Sequence, residues 1–205
     1  MTIDTLLALA GFAFAAAWTP GPNNMMLAAS GATFGWRATL GHALGVSLGF
    51  ALMIFLIALG LGEVFQRSET LRIGLAWGGG AVMLWLAWRI ATAGPARTGR
   101  RSRPLNFLEA SAFQWINPKA WVMAIGAAAT FASGAAPLRE ASVVAAVFLL
   151  AGLTGTQVWS GFGATLGRLL GDGWALRAFN VTMGVMLAAS ALWMVRDGMV
   201  GTGAP

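Results

Sequence analysis

Apolar residues fall into six runs along the chain, each long enough to cross a membrane as a helix. A spanning helix needs about 20 mostly apolar residues. The six runs cover residues 4–34, 38–61, 70–92, 106–132, 141–168 and 174–196. The composition agrees, because only 10% of the residues are charged, against about 25% in a soluble domain. We therefore predict an all-α membrane protein with six transmembrane helices.

Two of these runs contain helix-breaking residues near their middle. The first is interrupted at 19–22, within the sequence TPGPNN, and the fourth at 117–118, within INPKAW. A proline inside a helix removes a hydrogen-bond donor and costs roughly 3 kcal/mol. Asparagine followed by proline is typical of the N-cap and first position of a new helix. Each broken run therefore predicts two half-helices.

A basic loop at 93–105, AGPARTGRRSRPL, separates the first three runs from the last three. Five arginines cluster in it or beside it: Arg89, Arg97, Arg100, Arg101 and Arg103. Cytoplasmic loops are enriched in Lys and Arg, so we expect this loop inside and both termini outside. Three helices on each side make the halves antiparallel. Residues 1–205 thus form one predicted transporter domain, with inverted repeats at about 1–92 and 106–197 whose first helices are both broken.

The two breaks are the predicted binding site. At 1.5 Å per residue, Asn117 lies roughly 16 Å into its span, near the middle of a bilayer core about 30 Å thick. Irregular backbone at that depth must be buried in protein or line a wet cavity. Half-helix starts present free N–H groups and a positive dipole end, which suit a carboxylate. The predicted substrate-binding residues are Pro20, Gly21, Pro22, Asn23, Asn24, Asn117, Pro118 and Lys119. The alternative is that the prolines only kink the helices for packing.

Three ionisable residues are candidates for further roles. Lys119 is the only charge deep inside a predicted run, and intramembrane charges are costly and usually functional. We predict that it handles the substrate carboxylate or a proton; the alternative is an ammonium bonded to carbonyls freed by Pro118. His42 is the only histidine and a candidate proton carrier, or else an interfacial residue. Glu109 is a second candidate for coupling, or else an acid in the first turn of a helix.

Several function classes are disfavoured by the composition. The chain has no cysteine and one histidine, which leaves no thiolate chemistry and no histidine-based zinc site. No deep acid pair, Ser/His/Asp set or phosphate loop is present, so we predict no enzyme and no cofactor. The basic residues lie beside apolar runs, where they orient the chain rather than bind nucleic acid. A metal or other inorganic-ion exporter and a non-transporting membrane scaffold remain as alternatives to solute transport.

Several sequence segments resemble the LysE/RhtB family of amino-acid exporters. They are PGPNNMM at 20–26, FGWR at 34–37, WLAWRIA at 85–91, FLEASAFQWINPKAW at 107–121 and GTQVWSGFGATL at 155–166. The doubled Asn and the segments at 85–91 and 155–166 are most similar to the branch that exports cysteine and O-acetylserine. The resemblance implies amino-acid export across the bacterial inner membrane, driven by the proton gradient. It also implies substrate-site roles for the PGPN and NPK residues at 20–23 and 117–119.

We therefore expect a secondary exporter of small neutral amino acids or close derivatives, of the cysteine/O-acetylserine or threonine/homoserine type. Many family members carry an acid in the second span where this chain has Val46, which disfavours a cationic substrate such as lysine. The expected partners are the amino acid, protons and the lipid bilayer. Whether copies of the chain form a homo-oligomer is left open.

Overall fold

The computed structural model of the chain describes residues 1–93, 103–171 and 173–200, and all regular structure in these ranges is helical. This confirms the predicted all-α class. The helices are α1 (Ile3–Trp18), α2 (Pro22–Phe34), α3 (Trp36–Leu56), α4 (Gly62–Arg67), α5 (Glu69–Ala91), α6 (Phe107–Phe113), α7 (Pro118–Phe131), α8 (Pro137–Leu170) and α9 (Trp174–Val200). Arg97, Arg100 and Arg101 of the predicted basic loop lie outside the described residues.

The first apolar run is broken where the sequence predicts it. Helix α1 ends at Trp18 and α2 begins at Pro22, with a bend of 52° between them. The sequence allowed a new start at either Thr19-Pro20 or Gly21-Pro22. The structure has the second, with Gly21 as N-cap and Pro22 at the first helical position.

The fourth run is also broken at the predicted place. Helix α6 ends at Phe113, a single 3₁₀ turn covers Gln114–Ile116, and α7 begins at Pro118. Asn117 is the N-cap, and its side-chain oxygen accepts a hydrogen bond from the backbone N–H of Lys119 at 3.1 Å. The predicted arrangement of Asn cap and Pro at the first helical position is confirmed.

Length and hydropathy identify the membrane-crossing helices. Four in the described part of the chain qualify: Trp36–Arg67, Glu69–Ala91, Pro137–Leu170 and Trp174–Arg196. The first of these consists of α3, a π-helical stretch at Ile57–Leu61, and α4. The bent pair α1–α2 provides a fifth span when counted as one. The predicted span 106–132 does not meet this criterion, because its helices α6 and α7 have only 7 and 14 residues. Six spans in two inverted repeats therefore stay a prediction.

Close helix contacts hold both breaks in place. Helix α8 packs along α2 and α3, and α3 also packs on α6. A Cβ at Gly163 or Gly167 of α8 would overlap the backbone of α2 at Ala28 and Ala32. Gly45 and Gly49 of α3 approach the backbone of α6 in the same way. Small residues at these positions let the backbones touch. These contacts fix α2 against α8 and α6 against α3.

Candidate functional site

A cavity lies between the two breaks, with an empty volume of about 570 Å³ that includes its open mouth. Five of the eight predicted substrate-binding residues line it: Gly21, Asn23, Asn24, Asn117 and Lys119. Pro20, Pro22 and Pro118 form the breaks but do not line the cavity. The structure thus brings the two breaks, almost 100 residues apart in sequence, to one cavity.

Lys119 of the second break reaches across to the first. Its Nζ donates a hydrogen bond to the carbonyl of Thr19 at 2.7 Å and lies 3.4 Å from the carbonyl of Pro20. The alternative interpretation, in which the ammonium of Lys119 bonds carbonyls freed by Pro118, is therefore wrong. The carbonyls belong to the other break, so the lysine ties the two half-helix pairs together.

Gly21 leaves room for this lysine. A Cβ built on Gly21 would lie 2.8 Å from Cδ of Lys119 and 3.2 Å from its Nζ. The Gly21 backbone is extended, with φ −176° and ψ 179°, a conformation that any residue adopts. Glycine is needed here for space rather than for conformational freedom.

Asn23 is held by a residue that the sequence analysis did not select. Its Nδ2 donates to Oε1 of Gln114 at 2.8 Å, and the Gln114 amide donates to the carbonyl of Ala110 at 2.8 Å. Gln114 is fully buried and lines the cavity. The signal for it was a neutral polar side chain three residues before Asn117, deep in an apolar run.

The side chain of Asn24 closes the end of α1 rather than the start of α2. Its Nδ2 donates to the carbonyls of Ala17 at 3.0 Å and Thr19 at 2.8 Å. No described residue accepts a hydrogen bond from the backbone N–H of Asn23 or of Asn24. The start of α2 therefore presents two open donors beside the cavity.

The cavity has a positive character. Among its described lining residues, Lys119 is the one charged side chain. The lining also includes Ser47 and Thr156, whose hydroxyls lie 3.2 Å apart, and the apolar side chains of Val46, Phe50 and Phe148. A helix start adds partial positive charge. The arrangement suits a small molecule with a carboxylate and a short, uncharged side chain.

The two weaker candidates lie elsewhere. His42 is buried on α3, with Nδ1 3.4 Å from Oγ of Ser30, and it lines a second pocket rather than the cavity. Glu109 forms a capping box with Asn106 and a two-point salt bridge with Arg103 at 2.6 and 2.7 Å. This bonding raises the pKa of the Arg103 guanidinium. Glu109 is thus an acid in a first helical turn, and its coupling role stays a prediction.

Comparison with known proteins decides the family. The family model of the LysE type translocators matches residues 14–198. The chain belongs to this family. Cysteine/O-acetylserine efflux proteins of Escherichia coli (strain K12) and Shigella sonnei (strain Ss046) are each 30% identical to it over 197 residues, covering 94% of this chain and 98% of the relative. No solved structure matches. This LysE-type translocator is therefore a multi-pass membrane exporter with a small-molecule substrate, and not an enzyme.

Proposed function

We propose that this translocator exports small neutral amino acids or close derivatives from the bacterial cytoplasm across the inner membrane. The observation that supports the proposal most is the cavity between the two breaks, where Lys119 is the one charged side chain among the described lining residues. The substrates are of the cysteine/O-acetylserine or threonine/homoserine type. The names of the two efflux relatives favour the first of these types.

The cavity offers separate partners for the two charges of a zwitterion. The carboxylate binds the ammonium of Lys119 and the open N–H groups of Asn23 and Asn24. The α-ammonium of the substrate then takes the carbonyls of Thr19 and Pro20, which lie 2.7 and 3.4 Å from Nζ of Lys119. Binding is an exchange of one ammonium for another, so the carbonyls of Thr19 and Pro20 keep a donor.

The same cavity disfavours a cationic substrate. Lysine would bring a second ammonium into a site whose described lining has no acidic side chain. Val46 lies in the wall, at the position where many family members carry an acid. Phe50, Phe148 and Met123 restrict the space for a long side chain.

Proton coupling and orientation complete the proposal. The family resemblance supports a proton gradient as the driving force, with Lys119, His42 and Glu109 as the candidate proton carriers. The arginines on the loop side, Arg89 and Arg103 among them, support a cytoplasmic loop and external termini.

Export from cells that overproduce the protein tests the proposal. We expect faster efflux of labelled O-acetylserine or threonine than from cells producing Lys119→Met at equal membrane abundance, and no change for lysine. Tolerance to cadmium is the control for ion export and should stay unchanged. Faster lysine efflux, or cadmium tolerance without amino-acid efflux, would contradict the proposal.

A further inference from the structure

A second pocket lies at the other end of α2, with an empty volume of about 480 Å³ that includes its opening. Helices α2, α3 and α5 and the segment leading into α6 form its walls. Five polar or charged residues line it: Ser30, Thr33, His42, Arg89 and Arg103. It is on the side of the basic loop, because Arg89 lies just before that loop and Arg103 belongs to it.

The two arginines of this pocket differ in their bonding. Both Nη atoms of Arg103 bond the carboxylate of Glu109. No carboxylate among the described residues lies within 4 Å of the Arg89 guanidinium, which lies 4.9 Å from the ring centre of Trp85. A guanidinium forms strong two-point bonds with carboxylates. Arg89 is therefore the group in this pocket that is available to an anion.

Buried polar atoms at the pocket also lack partners. Nε2 of His42 has no hydrogen-bond partner in the described structure, although the residue is only 1% exposed. When the Ser30 hydroxyl donates to Nδ1, the proton is on Nε2, which is then a donor for an anion. Oδ1 of Asn180, a residue beside the pocket but not in its lining, also has no partner among the described residues, while its amide nitrogen donates to Oγ1 of Thr33 and the carbonyl of Ala93, which both line the pocket. Unpaired buried polar atoms are costly, so a polar ligand fits here.

We propose that this pocket is a second binding site for the carboxylate of the transported amino acid, reached from the side of the basic loop. The proposal rests on the proposed export function and adds an entry site to it. Helix α2 connects the two sites, since Ser30 follows Asn23 by seven residues, about 10 Å along the helix. Met26 lies between them and packs with Phe113 and Leu187. The solute would bind Arg89 and His42 first and pass Met26 to reach Lys119.

Single-cysteine variants test the entry site directly, because the chain has no cysteine of its own. Thr33→Cys reports on the second pocket and Met123→Cys on the cavity between the breaks; both positions are half-buried. The measurement is the rate of labelling by a small thiol reagent in reconstituted vesicles, with and without O-acetylserine or L-threonine. We expect solute to slow labelling at least fivefold at both positions.

Three backgrounds separate the entry site from the cavity. Arg89→Gln should abolish protection at Thr33→Cys. Arg37→Gln is the matched control, because Arg37 is exposed at the start of α3 on the same side and lines neither pocket; it should keep that protection. Lys119→Met should remove protection at Met123→Cys while leaving it at Thr33→Cys.

The outcomes distinguish failure of the entry site from failure of the export function. Protection at Met123→Cys without protection at Thr33→Cys would overturn the entry site and leave the export function standing. Loss of protection at Thr33→Cys in the Lys119→Met background would also overturn it, because the reagent would then report only on the cavity. Equal protection by inorganic phosphate, or by threonine amide, would show that the amino-acid carboxylate is not the recognised group. No protection at either position would contradict the export function itself.

Discussion

The two half-helix starts at the breaks look alike in sequence but differ in their hydrogen bonds. Both α2 and α7 begin with a proline at the first helical position. At α7, the side chain of Asn117 accepts from the N–H of Lys119 and its carbonyl accepts from Ala120 at 3.0 Å. At α2 the N-cap is Gly21, which has no side chain that could accept a hydrogen bond from the first turn. At the start of α7 the Asn117 cap therefore accepts hydrogen bonds from backbone N–H groups. At the start of α2 the N–H groups of Asn23 and Asn24 have no acceptor among the described residues.

The two breaks therefore contribute different groups to the cavity that both line. The open start of α2 contributes backbone N–H groups to the cavity, whereas the capped start of α7 contributes the side chain of Lys119. That side chain occupies the carbonyls at the end of α1. We infer that the first break binds mainly through backbone and the second mainly through charge.

Loss of the Lys119 charge should have the largest effect. Hydrogen bonds to charged groups contribute about 1.5–3 kcal/mol, so Lys119→Met should lower export at least tenfold at equal membrane abundance. Lys119→Arg keeps the charge and should lose less, because only its larger, planar head fits poorly. Transport assays with labelled solute in reconstituted vesicles give both values. Equal export by wild type and Lys119→Met would leave the lysine a packing role only.

Gly21→Ala should have an intermediate effect through the same lysine. The added methyl group would lie 2.8 Å from Cδ of Lys119, so the flexible lysine side chain must shift to make room for it. We expect the ammonium to move off its carbonyls and export to fall about fivefold. The matched control is Gly11→Ala on α1, where an added Cβ meets no atom within 4 Å. If both variants lose export equally, space for Lys119 is not the reason for Gly21.

Loss of the Asn117 side chain should have the smallest effect on export, because this residue contributes more to stability than to binding. Removal of an N-cap costs about 1 kcal/mol, so Asn117→Ala should lower the thermal unfolding midpoint of the purified protein. Asn117→Asp keeps the cap acceptor and should retain the midpoint, while its negative charge beside Lys119 weakens carboxylate binding. Tryptophan fluorescence measures the unfolding midpoint, and titration with solute measures the binding affinity. An unchanged unfolding midpoint in Asn117→Ala would contradict the claim that the Asn117 side chain stabilises α7 as its N-cap.

Local sequence signals predicted the breaks well and their connection poorly. Proline and Asn preferences are properties of a few neighbouring residues, which is why a helix start at Pro118, and one at either Pro20 or Pro22, follows from the sequence. The bond from Lys119 to Thr19 depends on how distant segments pack, and no local pattern encodes it. The same reason explains why Gln114 was missed and why His42 proved buried in a separate pocket.

Span counting shows a further limit of the sequence pattern. The sequence predicted one span over 106–132 with a break at 117–118, and the 3₁₀ turn at Gln114–Ile116 and the cap at Asn117 divide it into helices of 7 and 14 residues. The apolar composition of the segment does not show that its two helices are each this short. The prolines in both broken runs therefore predict the local structure better than the run lengths do.

A double-mutant cycle on solute affinity tests most directly whether the two breaks form one site. The four proteins are wild type, Gly21→Ala, Lys119→Met and the double variant, each titrated with labelled O-acetylserine or threonine in detergent. Because Gly21→Ala acts by displacing the lysine ammonium, it should add little once that ammonium is absent. The account predicts that the double variant binds within about twofold of Lys119→Met. A double variant whose loss equals the product of the two single losses would contradict a shared site.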